Sequence, residues 1–205
     1  MNDLTQCLEC GNPLPAASRR RRPRRFDSNA CRQRHYRRSR EYAQDAYDQV
    51  DPIPESLRSL TRWVRHRAKR PIATGGWAVS VHDSHAWASY NEVRDCSVGD
   101  GYGFVLNGDG IVCIDLDDCV VDGVVSDDAA KFVELLGETY SEFSPSGRGL
   151  HVWGYGSMEK GRRFTSGGLK IEAYPAGRFI TVTGNPYRKG KLDVIYFERA
   201  VSKMA

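Results

Sequence analysis

The sequence predicts an α+β domain built on a mixed or antiparallel sheet and preceded by a small, arginine-rich, zinc-binding module. Three observations predict this organisation. From about residue 102 onward strands dominate, with few helices between them, which argues against a doubly wound parallel sheet. Near the N-terminus, Cys and His residues have the spacing of zinc ligands. The 205 residues suffice for one well-buried domain and a small appendage.

The N-terminal module is expected over residues 1–45. It contains the pair Cys7 and Cys10, followed by Cys31 and His35. A helix capped at residue 28 or 29 would bring Cys31 and His35 onto one face, where both can reach a metal ion. Since so short and polar a segment buries little apolar surface, a structural Zn²⁺ would explain its folding. The segment resembles small treble-clef-like zinc modules, in many of which a Cys stands where this chain has Asp27. The fourth ligand is therefore His35 or Asp27.

A basic run lies inside this module. Residues 1–70 hold 17 Lys and Arg against 8 Asp and Glu, whereas the remainder of the chain is acidic. We expect this end of the chain to meet a polyanion, in particular the phosphates of DNA. The alternative is a solvated tail without a partner. The arginines expected to contact DNA are Arg19, Arg20, Arg21, Arg22, Arg24 and Arg25.

A linker over residues 46–58, with Pro52 and Pro54, should lead into a catalytic domain over residues 59–200. We expect one helix over residues 55–68, a short helix capped by Asp83 that carries Trp87 and Tyr90, and one helix from Ser126 to Gly137. The strands at 103–106 and 110–116 should form a hairpin through a glycine-rich turn. Further strands are expected at 139–143, 150–154, 169–174, 179–183 and 192–196.

Acidic residues interrupt or end two of these apolar strands. Asp115 and Asp117 close the run that begins at Ile111, and Glu172 stands inside the run from Lys170 to Tyr174. Residues two apart in a strand share a face, so Asp115 and Asp117 point the same way. Because two such carboxylates repel unless a cation or proton intervenes, the pattern indicates Mg²⁺ or Mn²⁺. The alternative is a solvated turn at a strand end.

Between these strands lies an element with Ser146, Arg148 and His151 beside flexible glycines. An Arg fork matches phosphate oxygens in pairs, while Ser and His add further hydrogen-bond donors. Arg178, beyond Glu172, extends the same polar edge. Taken singly, such a His is more often a structural residue and such a loop merely a turn. Their order along the chain, acids then Ser/Arg/His then acid, favours phosphoryl-transfer chemistry.

This order resembles the archaeo-eukaryotic primase superfamily, specifically the primase–polymerase domain of phage and plasmid replication proteins. The resemblance implies an RNA-recognition-motif-like sheet and template-directed nucleotide addition by a DNA primase and polymerase. It implies that Asp115, Asp117 and Glu172 bind the catalytic metals and that His151 takes part in catalysis. The nucleotide phosphates would contact Ser146, Arg148, His151 and Arg178, with Lys69 as a further contact to phosphate or template.

The partners implied are a single-stranded DNA template, nucleoside triphosphates and a replicative helicase supplied by another chain. We expect a cytoplasmic protein without a membrane partner, since no stretch approaches the ~20 apolar residues of a membrane span. Two alternative functions belong to other classes of protein. Carboxylate clusters with metals also serve nucleases, and the basic module equally suits a replication-initiation or nucleic-acid-binding protein without catalysis.

Overall fold

A computed structural model of the protein describes residues 5–14, 24–37 and 51–204. The chain divides into two units, Met1–Asp51 and Pro52–Ala205. Within the described ranges, no helix combines the length and the apolar character that crossing a membrane requires.

The described residues of the first unit form a tight knuckle and one helix. The backbone amide of Cys7 donates to the carbonyl of Asn12 (2.8 Å), and that of Gly11 donates to the carbonyl of Cys7 (2.9 Å). The helix, α1, occupies residues 29–37 of the described chain. The Ser28 hydroxyl accepts a hydrogen bond from the Cys31 amide (3.1 Å), which confirms a cap at this position.

The second unit is α+β with antiparallel strand pairs, which confirms the predicted class. Its helices are α2 (Glu55–Arg58), α3 (Tyr90–Asp95), α4 (Asp127–Leu136) and α5 (Phe197–Met204), with a 3₁₀ turn at Ser84–Ala86. Its strands are β1 (Trp63–Arg67), β2 (Arg70–Ile72), β3 (Gly101–Asn107), β4 (Ile111–Asp117), β5 (Val120–Val121), β6 (Val124–Val125), β7 (Ser141–Phe143), β8 (Leu150–Tyr155), β9 (Arg162–Ser166), β10 (Leu169–Tyr174), β11 (Ala176–Val182) and β12 (Pro186–Arg188).

Two sheets form the body of this unit. One has the strand order β11-β3-β1-β2, and the other has the order β12-β7-β8-β4-β10-β9; β5 and β6 pair separately. An aromatic core joins the two sheets, in which Phe104 of β3 meets Trp153 of β8 edge-on with ring centroids 5.9 Å apart. The other face of the six-stranded sheet is covered by α4 and α5.

Strand β4 shows how the six-stranded sheet separates two cores. Val112, Ile114 and Leu116 belong to the core beneath the helices. Ile111 and Cys113 belong to the core between the sheets. Because side chains alternate along a strand, Asp115 and Asp117 continue the face of Ile111 and Cys113 and emerge where the core between the sheets ends.

The helix predicted over residues 55–68 is wrong beyond its first turn. The helix ends at Arg58, and Trp63–Arg67 form β1, which pairs with β3. The aromatic ring of Trp63 packs against Phe104 and Tyr90, with centroid distances of 5.2 and 5.0 Å. Tertiary packing of this large side chain in the core between the sheets therefore outweighs the helical spacing of apolar residues.

The hairpin predicted between residues 103–106 and 110–116 is also wrong. Strand β3 pairs with β1 and β11, whereas β4 pairs with β8 and β10, so the glycine-rich turn carries the chain from one sheet to the other. Gly108 and Gly110 have φ of 89° and 97°, a region that favours glycine. Arg62 holds Asp109 of the same turn, with Nη2 to Oδ2 at 2.9 Å.

Of the helix ends predicted from the sequence, those of α4 are confirmed, whereas the helix predicted after Asp83 differs. Ser126 and Gly137 bound α4 as predicted. Asp83 caps only the 3₁₀ turn, and α3 begins separately at a capping box in which Ser89 and Glu92 bond reciprocally.

The strand predicted at 192–196 reduces to an isolated bridge between Tyr155 and Val194, and the sequence analysis missed β9 and α5.

Candidate active site

Four polar side chains form a row across adjacent strands of the six-stranded sheet. Glu142 on β7 lies opposite His151 on β8, His151 lies opposite Asp115 on β4, and Asp115 lies opposite Glu172 on β10. Side chains directly opposite in an antiparallel pair have their Cβ atoms about 4.5–5.5 Å apart. The register therefore brings three stretches distant in sequence into one continuous site.

Asp115 is the central acid of this row. Burial raises the pKa of its carboxyl; the negative charges of Asp117 and Glu172 act in the same direction, and the positive charges of His151 and Lys69 oppose them. Partly desolvated carboxylates in such proximity favour binding a cation or a proton. Oxygen donors of this kind suit Mg²⁺ or Mn²⁺, so the residues present fit a divalent metal.

The Glu172 carboxylate already contacts side chains of its own strand, β10, and of the neighbouring strand β9. Its Oε2 accepts a hydrogen bond from the Tyr174 hydroxyl, and its Oε1 pairs with the Arg163 guanidinium from β9. Asp117 is exposed, and its carboxylate forms no hydrogen bond or ion pair with the residues that the structure describes. Asp115 and Asp117 are thus the less committed oxygen donors, and Glu172 is held beside them.

His151 lies buried between two carboxylates. Its Nε2 is 3.8 Å from Asp115 Oδ1, and its Nδ1 is 3.5 Å from Glu142 Oε1. Burial alone would lower the pKa of His151, but the interaction with Glu142, the charge of Asp115 and the backbone of Thr181 outweigh burial and raise it. A cationic imidazole at this place can face an anionic ligand.

The loop between β7 and β8 presents Ser146 to the same space. The Ser146 hydroxyl lies 3.1 Å from that of Ser144 and accepts from the Arg148 amide (3.3 Å). A Cβ at Gly149 would lie 2.5 Å from the Leu116 carbonyl oxygen, so the loop can approach β4 this closely only with glycine there.

A cavity of about 480 Å³ lies beside these strands and the Ser146 loop. A volume of this size is typical of small-molecule sites. The lining residues that were also predicted from the sequence are Lys69, Asp115, Asp117, Ser146, His151, Glu172 and Arg178. Arg148 is not among them: its guanidinium is exposed and pairs with Asp118 at 3.1 Å.

Lys69 reaches the cavity through a strained turn. Ala68 and Lys69 join β1 to β2 and have φ of 48° and 60°. Such left-handed pairs form the tight hairpin turns that Asn and Gly normally occupy. The Ala68 amide donates to Asp100 Oδ2 at 2.6 Å, which fixes the turn. A non-glycine residue kept in this conformation at a cavity wall suggests that its side chain is needed there.

The first unit contains a second possible metal site. One ligand atom from each of Cys7, Cys10, Asp27 and Cys31 lies within 4.8 Å of the others. Hydrogen bonding with Cys31, stronger than the opposing effect of burial, lowers the pKa of Asp27. His35 is not in this cluster, since its Nδ1 lies 3.7 Å from Glu9 Oε2. Of the two candidates for a fourth ligand, Asp27 is the one that the structure brings to the thiols, and three Cys with one carboxylate suit Zn²⁺.

The arginine run falls largely outside the described residues. Arg19, Arg20, Arg21 and Arg22 lie in the part of the chain that the structure leaves undescribed, whereas Arg24 and Arg25 are described and exposed. Their contact with DNA stays a prediction.

Three residues of the site escaped sequence analysis: Glu142, Arg163 and Tyr174. Glu142 stands in the short strand Ser141–Phe143, whose Ser-Glu-Phe sequence lacks the apolar neighbours that drew attention to Glu172. Arg163 had no comparable signal, because β9 has an exposed, irregular pattern and its pairing with β10 depends on the fold.

No protein-family model matches the chain. Over 157 residues the chain is 30% identical to the DNA primase-polymerase of Nitratiruptor phage NrS-1. This part of the chain is thus similar in sequence to a phage DNA primase-polymerase. The match covers 70% of this chain and 22% of the phage protein, so the chain spans about a fifth of that relative's length.

Proposed function

We propose that this protein performs metal-dependent, template-directed nucleotidyl transfer from nucleoside triphosphates, as a primase–polymerase in phage or plasmid replication. One observation carries the proposal: Asp115, Glu172 and His151 stand side by side on adjacent strands at the wall of one cavity. The similarity to a phage DNA primase-polymerase supports the same reaction class. The antiparallel sheet agrees with an RNA-recognition-motif-like catalytic core.

Asp115 and Asp117 would hold the catalytic metals, with Glu172 as a third oxygen donor. Bound there, Mg²⁺ or Mn²⁺ would neutralise charge that develops on the phosphates and activate the attacking hydroxyl. Arg163 and Tyr174 would keep the Glu172 carboxylate in one orientation. Pre-set ligands lower the cost of ordering the site when substrate binds.

Positively charged side chains in the same cavity suit the negatively charged triphosphate. Lys69, Arg178 and His151 line it together with the hydroxyl of Ser146. Cationic groups placed where phosphate charge develops stabilise the transition state. Arg148 would join them only by leaving Asp118, an exchange that costs little because exposed ion pairs are weak.

The first unit would bind Zn²⁺ through Cys7, Cys10, Asp27 and Cys31. The arginines of this unit would bind the phosphates of a single-stranded DNA template. Each phosphate contact releases counterions, so this contribution to affinity should fall steeply with salt.

A labelled DNA primer annealed to a longer template distinguishes the proposed nucleotide addition from DNA cleavage. The protein is incubated with Mg²⁺ or Mn²⁺, with and without nucleoside triphosphates. We expect lengthening of the labelled strand that requires both triphosphates and a complementary template. Shortening without triphosphates would instead indicate a metal-dependent nuclease. Binding with neither change would indicate a non-catalytic nucleic-acid-binding module.

A further inference from the structure

Glu142 is a fully buried carboxylate, 0% exposed, on β7. Its Oε2 accepts hydrogen bonds from the Thr183 amide (3.1 Å), the Thr183 hydroxyl (3.2 Å) and the Gly184 amide (2.9 Å). The Tyr140 hydroxyl donates to the same oxygen at 3.0 Å. Bonds from two backbone amides and two hydroxyls hold this side chain in a single orientation.

The second oxygen of this carboxylate faces His151. Glu142 Oε1 lies 3.5 Å from His151 Nδ1, and neither atom has a conventional hydrogen-bond partner among the residues that the structure describes. Because a buried polar group left unpaired is unfavourable, these two atoms are each other's natural partners. A proton on Nδ1 directed at Glu142 turns Nε2 toward Asp115 and the cavity.

We propose that Glu142 is the positioning residue for His151: its Oε1 accepts a hydrogen bond from Nδ1–H and fixes the ring orientation, so that an Nε2–H donor is directed at the phosphates of the bound nucleotide. Glu142 does not line the cavity whereas His151 does, so Glu142 acts through the imidazole alone. The bond made by one ring nitrogen sets what the other can do. This inference rests on the proposed function for the role of His151 and on geometry for the role of Glu142.

The substitution Glu142→Gln tests the inference with little change of shape. Because the Thr183 and Gly184 amides require an acceptor, the Gln oxygen must face them and its NH₂ must face Nδ1. Because this NH₂ group cannot accept from Nδ1–H, His151 loses the proton on Nδ1 and with it the hydrogen bond that orients the ring. We expect kcat/KM for the triphosphate to fall about 10- to 100-fold, the usual cost of losing a residue that orients a site histidine.

Tyr140→Phe is the matched control, since it removes one hydrogen bond from the same carboxylate and leaves the contact with His151 intact. It should change kcat/KM much less. In a double-mutant cycle, Glu142→Gln should cost little further activity once His151 is replaced by Gln. Equal losses with and without His151, or an equal loss in Tyr140→Phe, would show that Glu142 only supports the fold.

Long-range ¹⁵N–¹H spectra of the imidazoles in the full chain give a readout that does not need catalysis. The His151 signals are identified by their absence in His151→Gln. A proton on Nδ1 in the wild type that is absent in Glu142→Gln would support the inference, even if no synthesis were found and the proposed function failed. The same occupancy of Nδ1 by a proton in both proteins would overturn it, even if the wild type were an active polymerase.

Discussion

Asp115 on β4 and Glu172 on β10 are direct cross-strand partners. This register determines the electrostatics of the candidate site, because it sets two carboxylates side by side at the end of a buried core. Opposing like charges on neighbouring strands destabilise a sheet. The fold therefore carries an unfavourable arrangement that a bound cation would relieve.

We predict that Asp115→Asn stabilises the metal-free protein. Burial and the charges of Asp117 and Glu172 raise the pKa of Asp115, so the neutral amide removes an unfavourable charge. The free energy of unfolding should rise by roughly 1 kcal/mol, as is common when a functional group that weakens the fold is replaced. Urea unfolding in EDTA measures the change. Added Mg²⁺ should stabilise the wild type more than the variant, and a variant less stable than the wild type in EDTA would contradict the prediction.

A second prediction concerns the turn between β1 and β2. Lys69→Gly and Ala68→Gly should each stabilise the protein by about 1 kcal/mol, because each removes a side chain from a left-handed conformation. Only Lys69→Gly should also raise KM for the triphosphate, since only Lys69 lines the cavity. Thermal unfolding and steady-state kinetics on both variants separate the two effects. A similar rise in KM for Ala68→Gly would assign the effect to the turn and not to the ammonium group.

The N-terminal cluster yields a third prediction. Asp27→Ala should lose bound Zn²⁺, whereas His35→Ala should keep it, because Asp27 lies with the three thiols and His35 contacts Glu9. Native mass spectrometry of the full chain gives the metal stoichiometry, and Asp27→Cys should bind at least as tightly as the wild type. Retained zinc in Asp27→Ala together with its loss in His35→Ala would reverse the assignment of the fourth ligand.

The sequence was most informative where residue type itself indicates the chemistry. A pair of carboxylates two apart on a strand, together with a Ser/Arg/His loop, predicted many of the residues that line the cavity. Helix end signals also located α4 through Ser126 and Gly137. These signals are local, so they can be recognised without knowing which strands pair.

What the sequence could not supply depends on long-range pairing. The partners of Glu172, which are Arg163 and Tyr174, and the contact between Glu142 and His151 exist only because particular strands lie side by side. The division of β3 and β4 between two sheets reverses what their short glycine-rich connection suggests. The choice between Asp27 and His35 likewise depends on where the knuckle meets α1.

The central claim is that Asp115 and its neighbours catalyse nucleotide transfer. The most direct test is incorporation of labelled nucleotides on an unprimed single-stranded template with Mg²⁺ or Mn²⁺. It compares the wild type with Asp115→Asn and with Asp118→Asn, the latter an adjacent acid that pairs with Lys170 and Arg148 outside the cavity lining. We predict product from the wild type and from Asp118→Asn, and at least about a 100-fold loss in Asp115→Asn. Undiminished synthesis by Asp115→Asn would contradict the account.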